Sequence, residues 1–143
     1  MSAVNDRVRL RFPPEAEYLA ICRLALGAVC RGEGFDEETT SDLKLAVTEA
    51  CANAVRHAYG PGEDGEVEMV LDIHPDRIVC EVIDRGRGFD PDAPPPPAEG
   101  EGGLGLSIIR SVTDELAIEP ADPGIRLRFV KHRATPDAAS LGG

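Results

Sequence analysis

The sequence predicts an α+β fold, a two-layer α/β sandwich in which a mixed, mostly antiparallel sheet carries helices on one face. Five short segments have the apolar pattern and the flanking turn residues of β-strands, and three segments carry apolar side chains at helical spacing. Their order, β-α-α-β-β-loop-α-β-β, contains hairpins and few βαβ units. The 143 residues fit one domain, which we assign to residues 1–133, followed by a flexible tail at 134–143.

The first strand and the first helix are predicted from the spacing of apolar residues, which changes from every second residue to helical spacing. Arg7 to Phe12 alternates without a break and predicts a half-buried strand, with the arginines on its outer, solvated face together with those of the last strand. Pro13-Pro14 ends the strand. Glu15 to about Arg31 then predicts a helix, which Gly32 and Gly34 stop.

The second helix is predicted from Asp36 or Glu37 to Ala58, and Gly60-Pro61-Gly62 closes it. Its core stripe comprises Leu43, Ala46, Val47, Ala50 and Ala54.

A hairpin follows, with strands at Glu66–Ile73 and Arg77–Asp84 around a His74-Pro75-Asp76 turn. Val67, Met69, Leu71 and Ile73 share one face of the first of these strands. Residues 85 to 101 contain too many glycines and prolines for a helix or strand and predict a long loop of the kind that forms lids.

The last helix is predicted from Gly103 or Leu104 to Thr113. Two strands, Leu116–Ile118 and Ile125–Val130, complete the sheet across an Asp122-Pro-Gly124 turn.

Charge and cysteine usage exclude several classes of function. The net charge of −11 argues against a surface for nucleic-acid phosphates. No apolar run reaches the length of a membrane span and no signal peptide is indicated, so we expect a cytoplasmic protein. No CxxC pair exists, which favours buried structural thiols over a zinc site for Cys22, Cys30, Cys51 and Cys80.

Glu49, Asn53 and His57 recur at four-residue steps and therefore lie along one side of the second helix, beside its apolar stripe. Polar side chains at a core boundary cost free energy unless they have partners. A metal ion with phosphate oxygens would supply them. Taken alone, Glu49 is better explained by a surface salt bridge, and the favourable dipole at a helix C-terminus also explains His57.

Two glycine-containing segments strengthen the nucleotide interpretation. Asp84-Arg-Gly86-Arg-Gly88 ends a strand, where a carboxylate can accept a hydrogen bond from an exocyclic amine and glycines let the backbone approach a flat ligand. Glu101-Gly102-Gly103-Leu104-Gly105 opens a helix, whose free N–H groups and dipole suit phosphate. Neither segment is specific alone, and neither is a Walker A loop or a convincing Rossmann fingerprint.

The set and its order resemble the N, G1 and G2 boxes of the GHKL, or Bergerat-type, ATP-binding superfamily. Two stretches, residues 45 to 59 and Gly102-Gly-Leu-Gly-Leu106, are most similar to the bacterial anti-sigma-factor serine/threonine protein kinases. The resemblance covers nearly the whole chain, and it implies that the protein binds ATP and Mg²⁺.

The resemblance also implies a role for each site residue. Glu49 would be the catalytic base and Asn53 the Mg²⁺ ligand, while Asp84 would hold the adenine amine and His57 would lie near the phosphates or the lid. The remaining nucleotide contacts would come from Gly86, Gly88, Gly102, Gly103, Leu104, Gly105 and Leu106.

By the same resemblance, the protein would phosphorylate a STAS-type anti-anti-sigma protein, hold a sigma factor inactive and form a homodimer, without contacting nucleic acid or membrane. Two alternatives stay open: a non-catalytic ATP-binding regulator that acts through protein contacts, and an ATP domain detached from a histidine kinase. One departure concerns the lid segment, residues 90 to 101, which holds four consecutive prolines and no Lys or Arg. Since polyproline is stiff, lid closure and turnover are in question.

Overall fold

A computed structural model of the protein describes residues 6–58, 65–84, 101–120 and 125–133. The strands are β1 (Asp6–Phe12), β2 (Val67–Ile73), β3 (Arg77–Asp84), β4 (Glu115–Pro120) and β5 (Ile125–His132). The helices are α1 (Leu19–Gly32), α2 (Glu37–Ala58) and α3 (Glu101–Val112), with a 3-10 turn at Ala16–Tyr18 before α1.

The five strands form one sheet in the order β1-β2-β3-β5-β4, and each of the four neighbouring pairs is antiparallel. This confirms the predicted α+β class and the predicted order of elements. The three helices pack on one face, with α2 between α1 and α3 and in contact with the central strand β3.

The largest differences between the observed and the predicted element ends occur in four elements: the first helix, β4, β5 and the last helix. The first helix does not run continuously from Glu15, because the 3-10 turn at Ala16–Tyr18 precedes α1. The strands β4 and β5 each extend beyond their predicted ends, since pairing with a neighbour adds residues that alternation alone does not mark. The last helix begins at Glu101, two or three residues before the predicted start at Gly103 or Leu104.

The main core lies between the helices and the inner face of the sheet. Its sheet residues include the four predicted from β2, with Ile78, Cys80 and Val82 of β3 and Leu127 and Phe129 of β5. All four cysteines are buried free thiols, as the sequence predicted.

The opposite face of the sheet combines buried apolar residues with ion pairs. The side chains of Arg7, Arg9 and Arg11 are 53–56% exposed, which confirms the predicted solvated stripe, but each faces an acidic residue of β2. The sequence did not indicate that Glu68, between Arg9 and Arg11, would be only 1% exposed. Beside these ion pairs, four apolar residues of the outer face are buried: Val70, Val79, Ile83 and Val130.

Candidate nucleotide site

The position of the site depends first on where α2 begins. Asp36 caps the helix, because its Oδ1 accepts a hydrogen bond of 2.8 Å from the Thr39 N–H. The hydrogen bonds from Thr39 hold the pKa of the Asp36 carboxyl below its usual range. Glu37 and Glu38 add negative charge to the first turn, where the helix dipole favours it. The cap and these charges therefore fix the start of the helix.

The rotation of α2 about its axis is set by its buried stripe. Leu43, Ala46, Val47, Ala50 and Cys51 are each at most 1% exposed. The small side chains of Ala46, Ala50 and Cys51 allow the helix to lie close to the sheet, and α2 contacts β3 directly.

Contacts on the two sides of α2 show which way each flank faces. Lys44 lies against α1, since a Cβ placed on Gly27 would be 2.9 Å from the Lys44 Cε. Asp42, about 160° away from Lys44 on the helical wheel, forms a 3.1 Å ion pair with Lys131 of β5. One flank of α2 therefore faces α1, and the other faces the half of the sheet under α3.

Glu49 and Asn53 lie on the flank of Asp42, one helical turn apart. Both are half-buried. Within the described residues, Glu49 makes no hydrogen bond or ion pair that would occupy its carboxylate, and Asn53 does have an interaction. The structure therefore leaves the acid of this pair available at the side of α2 that meets α3.

Asp84 ends the central strand β3 and is 5% exposed. It pairs in register with Val67 of β2 and Ile125 of β5. Because side chains alternate along a strand, Asp84 shares the inner face with Val82, two positions before it. The carboxylate thus lies on the helical side of the sheet, where a buried polar group needs a hydrogen-bonding partner.

The glycine segment lies inside α3 rather than before it. Gly102 and Gly103 occupy the first turn, whose N–H groups have no acceptor within the helix. The N–H of Gly105, at the fifth position, is placed to donate to the first-turn carbonyl. Each glycine lowers the helix propensity by about 1 kcal/mol, and the packing of α3 against α2 offsets this loss. The backbone N–H groups of Gly102 and Gly103 are therefore the ones in the glycine segment that the helix leaves without an internal acceptor.

The other predicted site residues are placed less completely. Leu106 is half-buried and its side chain packs against the core, so the side chain helps to anchor α3. The backbone of His57 lies in the last turn of α2 and that of Leu104 in α3. Their side chains, and all of Gly86 and Gly88, lie outside the described residues, so their predicted contacts stay predictions.

A family model described as a histidine kinase-like ATPase domain matches residues 12–131, which include every element from the end of β1 to β5. The chain belongs to the histidine kinase-like ATPase family. Within it the chain is RsbW-like: it is 35% identical to the serine-protein kinase RsbW of Bacillus velezensis over 143 residues, covering 92% of this chain and 89% of the relative. It is 38% identical to RsbW of Oceanobacillus iheyensis, covering 79% and 78%.

Solved structures agree on the fold of this histidine kinase-like ATPase. The RsbU and RsbW domains of a Mycobacterium tuberculosis protein superpose with a TM-score of 0.70 at 17% identity, over 92% of this chain and 33% of that one. The histidine kinase domain of a blue-light-activated kinase from Erythrobacter litoralis gives 0.54 at 23% identity, over 84% and 61%.

The donor set fits a magnesium ion that arrives with the nucleotide. Mg²⁺ takes hard oxygen ligands and is usually held by one or two side chains together with substrate phosphates and water. The amide oxygen of Asn53 is a hard oxygen of this kind, and the carboxylate of Glu49 is one helical turn away. Such an ion does not need a preformed site made only of protein ligands. Among the described residues, no cluster of three or more His, Cys, Asp or Glu side chains could hold a metal.

No described helix is long and apolar enough to cross a bilayer.

The sequence identified the motif residues but did not indicate the tertiary contacts around them. The pairing of Asp42 with Lys131, 89 residues apart, tells which flank of α2 faces which half of the sheet, and no local pattern signals it.

Proposed function

We propose that this protein is a Mg-ATP-dependent serine kinase that phosphorylates a STAS-type anti-anti-sigma protein and holds a sigma factor inactive. The observation that carries the proposal is the placement of Glu49 and Asn53, half-buried on the α2 flank that meets α3, with the Glu49 carboxylate uncommitted among the described residues. The naming of the RsbW relatives as serine-protein kinases supports the reaction class.

Phosphoryl transfer needs alignment and charge neutralisation more than covalent help from the protein, because its transition state is loose. Bound Mg²⁺ would supply part of the charge neutralisation at the phosphates, with Asn53 as its protein ligand. The first-turn N–H groups of Gly102 and Gly103 would donate to phosphate oxygens. The carboxylate of Asp84 would accept a hydrogen bond from the adenine amine.

Glu49 would orient the serine hydroxyl of the substrate and accept its proton as the oxygen attacks the γ-phosphorus. The bond from that phosphorus to the β-γ bridging oxygen breaks, and ADP leaves. A carboxylate suits this role when it lies within hydrogen-bond reach of the hydroxyl and is not already paired.

The partners follow from the same proposal. Phosphorylation would release the STAS-type antagonist, and the freed kinase would then bind the sigma factor in the cytoplasm. We propose a homodimer as the active form, without contact to nucleic acid or membrane. The net charge of −11 is consistent with the absence of direct nucleic-acid contact.

The test of catalysis is transfer of labelled γ-phosphate from Mg-ATP to purified candidate STAS proteins. Glu49→Gln should lower the rate by about 10²–10⁴-fold, the usual contribution of a general base, and leave ATP affinity within about twofold. The matched control is Glu38→Gln, which removes the same charge from the exposed first turn of α2 and should leave both unchanged. Equal rates for the two variants would refute the role of Glu49.

Two further variants separate the binding roles by calorimetry. Asn53→Ala should weaken ATP binding in the presence of Mg²⁺ and leave metal-free binding nearly unchanged. Asp84→Asn should weaken ATP and ADP equally, because both carry adenine, and discriminate less against a base that lacks the amine. Unchanged affinities in both variants would place the nucleotide elsewhere.

A non-catalytic regulator is the second candidate, and the sequence of the lid segment favours it. Residues 90 to 101 offer no cation to the γ-phosphate and contain four consecutive prolines. In that case the protein would bind ATP, and its affinity for a sigma factor would depend on nucleotide, while no label would reach any serine.

A further inference from the structure

One edge of the sheet is formed by β1. In the described part of the chain β1 pairs only with β2, so its other side carries backbone N–H and C=O groups that no described strand meets. All seven residues of β1 pair in continuous register with β2, without a bulge that would twist the edge away. A regular edge of this kind is a template for one further strand.

A small pocket lies beside this edge, between the end of β1 and the start of α1. Its volume is about 190 Å³, and its lining includes Leu10, Phe12, Tyr18 and Ile21. Leu10 and Phe12 belong to the helical side of the sheet, and Ile21 of α1 is 49% exposed. Since a cavity of about 150 Å³ can hold a benzene molecule, the pocket fits one apolar side chain and is too small for a nucleotide.

The opposite face of β1 carries positive charge. The side chains of Arg7, Arg9 and Arg11 are 53–56% exposed, whereas those of their partners on β2, Asp72 and Glu68, are 21% and 1% exposed. Because the arginines outnumber the carboxylates and cover them, the charge that solvent reaches at this edge is that of the guanidinium groups. The rest of a chain with a net charge of −11 repels acidic molecules, so an acidic partner is attracted to this edge in particular.

An added strand would present its side chains alternately to these two faces. It would lie about 4.8 Å beyond β1, with every second side chain beside the arginines and the others beside Leu10 and Phe12, next to the pocket. Acidic residues suit the first face and apolar residues the second. In complexes that add a strand to a sheet, main-chain hydrogen bonds supply affinity, and pockets for alternate side chains supply specificity.

A second copy of this chain does not suit the same edge. If two copies paired through β1 about a two-fold axis, the arginines of both strands would lie side by side on one face of the joined sheet. Like charges on neighbouring strands destabilise such a pairing. The homodimer proposed above would therefore use another surface, and the edge of β1 favours a different occupant.

We propose that the edge of β1 and the pocket beside it form a docking site for an extended segment of a partner protein in which acidic and apolar residues alternate. The segment adds a sixth strand next to β1 and places one apolar side chain in the pocket. The site is independent of nucleotide binding and of phosphoryl transfer.

The probe is a synthetic peptide of alternating glutamate and leucine, blocked at both ends and matched to β1 at seven residues. One control peptide has lysine in place of glutamate, and the other has alanine in place of leucine. Titration of each peptide into the whole, isotope-labelled protein, followed by NMR at low ionic strength, gives the affinities. The Glu-Leu peptide should bind at least about tenfold more tightly than either control, because each control loses the charge or the apolar contact.

Hydrogen exchange of the β1 amides identifies the mode of binding. Because the N–H groups of a strand point alternately to its two sides, β2 already protects every second amide. The Glu-Leu peptide should slow exchange of the remaining, outward amides by about tenfold or more. A peptide that binds as a helix, or through the pocket alone, would leave these amides unchanged.

Two matched variants on α1 test the pocket. Ile21→Gln changes a lining residue and should weaken binding of the Glu-Leu peptide by about fourfold or more, the effect of about one buried methylene group. Leu24→Gln makes a similar change at a side chain that is 71% exposed and does not line the pocket. This control should leave the affinity within about twofold of the wild type.

The proposal is overturned if the Glu-Leu peptide does not bind, if the Lys-Leu peptide binds equally well, or if binding leaves the outward amides of β1 unprotected. Equal losses of affinity in the two α1 variants would also overturn it, because the peptide would then not use the pocket. Slow exchange of the outward amides before peptide is added would show that the edge is already covered, by a second copy if dilution removes the protection and by this chain if it does not, and either result contradicts the proposal. Failure of ATP binding or of kinase activity would alter none of these readouts.

Discussion

The junction between α1 and α2 allows a sharp test, because it depends on the backbone conformation of one glycine. Gly34 has φ of +77°. The Phe35 N–H donates to the Cys30 carbonyl at 3.0 Å and the Gly34 N–H to the Arg31 carbonyl at 3.2 Å, which together form a Schellman motif. Phe35 follows into the core with 8% exposure. The motif therefore sets the angle at which the chain enters α2.

Replacing Gly34 with alanine should destabilise the protein by about 1–2 kcal/mol, the cost of the left-handed conformation for a residue with a Cβ. The new Cβ would also lie 3.3 Å from the Arg133 Nη2, which is the end of a flexible side chain and can move. Gly32→Ala is the matched control. Gly32 is the last residue of α1 and a Cβ there meets nothing within 4 Å, so this change should be neutral or stabilise by up to about 1 kcal/mol.

Urea denaturation of both variants measures the difference, with thermal unfolding as a second reading. For a chain of this size, 1 kcal/mol corresponds to a shift in Tm of about 2–4 °C. We expect the midpoint of Gly34→Ala to fall and that of Gly32→Ala to stay or rise, with Gly34→Asn in between because asparagine tolerates this conformation. Equal shifts in the two alanine variants would refute the conformational argument.

Two further predictions concern charged groups of the scaffold. Asp36→Ala should destabilise the protein by about 1 kcal/mol, because the helix cap is lost. Since the pKa of Asp36 is lowered in the folded state, the charge-dependent part of this stabilisation is present above about pH 4 and is lost as the pH falls through the folded pKa. Urea midpoints measured against pH would show this loss. Glu68→Gln should lower the free energy of unfolding by under about 1 kcal/mol, because Arg9 and Arg11 are half-exposed and can be hydrated. The double variant Arg9→Gln with Arg11→Gln should lower it by about 2–3 kcal/mol, because the buried carboxylate of Glu68 loses both arginines. Chemical denaturation that found the single variant less stable than the double variant would contradict this argument.

Much of the fold was predictable because its periodic signals are local. The alternation in Arg77–Asp84 and the stripe of Leu43 to Ala54 gave β3 and α2 at the residues where the structure has them. The local patterns did not predict the element ends that depend on tertiary contacts. Glu101 begins a helix through two glycines because α3 packs on α2, and β4 gains residues because β5 pairs with it.

The site divides in the same way. The spacing of Glu49 and Asn53 predicted that they share a flank, and the glycines after Asp84 predicted that it ends a strand. That the Asp84 side chain lies on the inner face follows from the observed strand. Which half of the sheet that flank faces could not be predicted, because it depends on a long-range ion pair between Asp42 and Lys131. Charge pairs of this kind leave no periodic trace in a sequence.

The composition of the α2 stripe explains how one helix can serve a site and a sheet together. Ala46 and Ala50 are small enough to let the helix axis lie close to β3, and both are fully buried. Close packing means that Glu49 and Asn53, on the flank, lie near the sheet whose central strand ends in Asp84, and larger residues in the stripe would lift them away from it. The same closeness makes the position of α2 sensitive to its α1 side, where Cys51 lies. A helix that brings two groups to a ligand by packing tightly on one side will transmit a displacement from the other, because a rigid helix moves as one body.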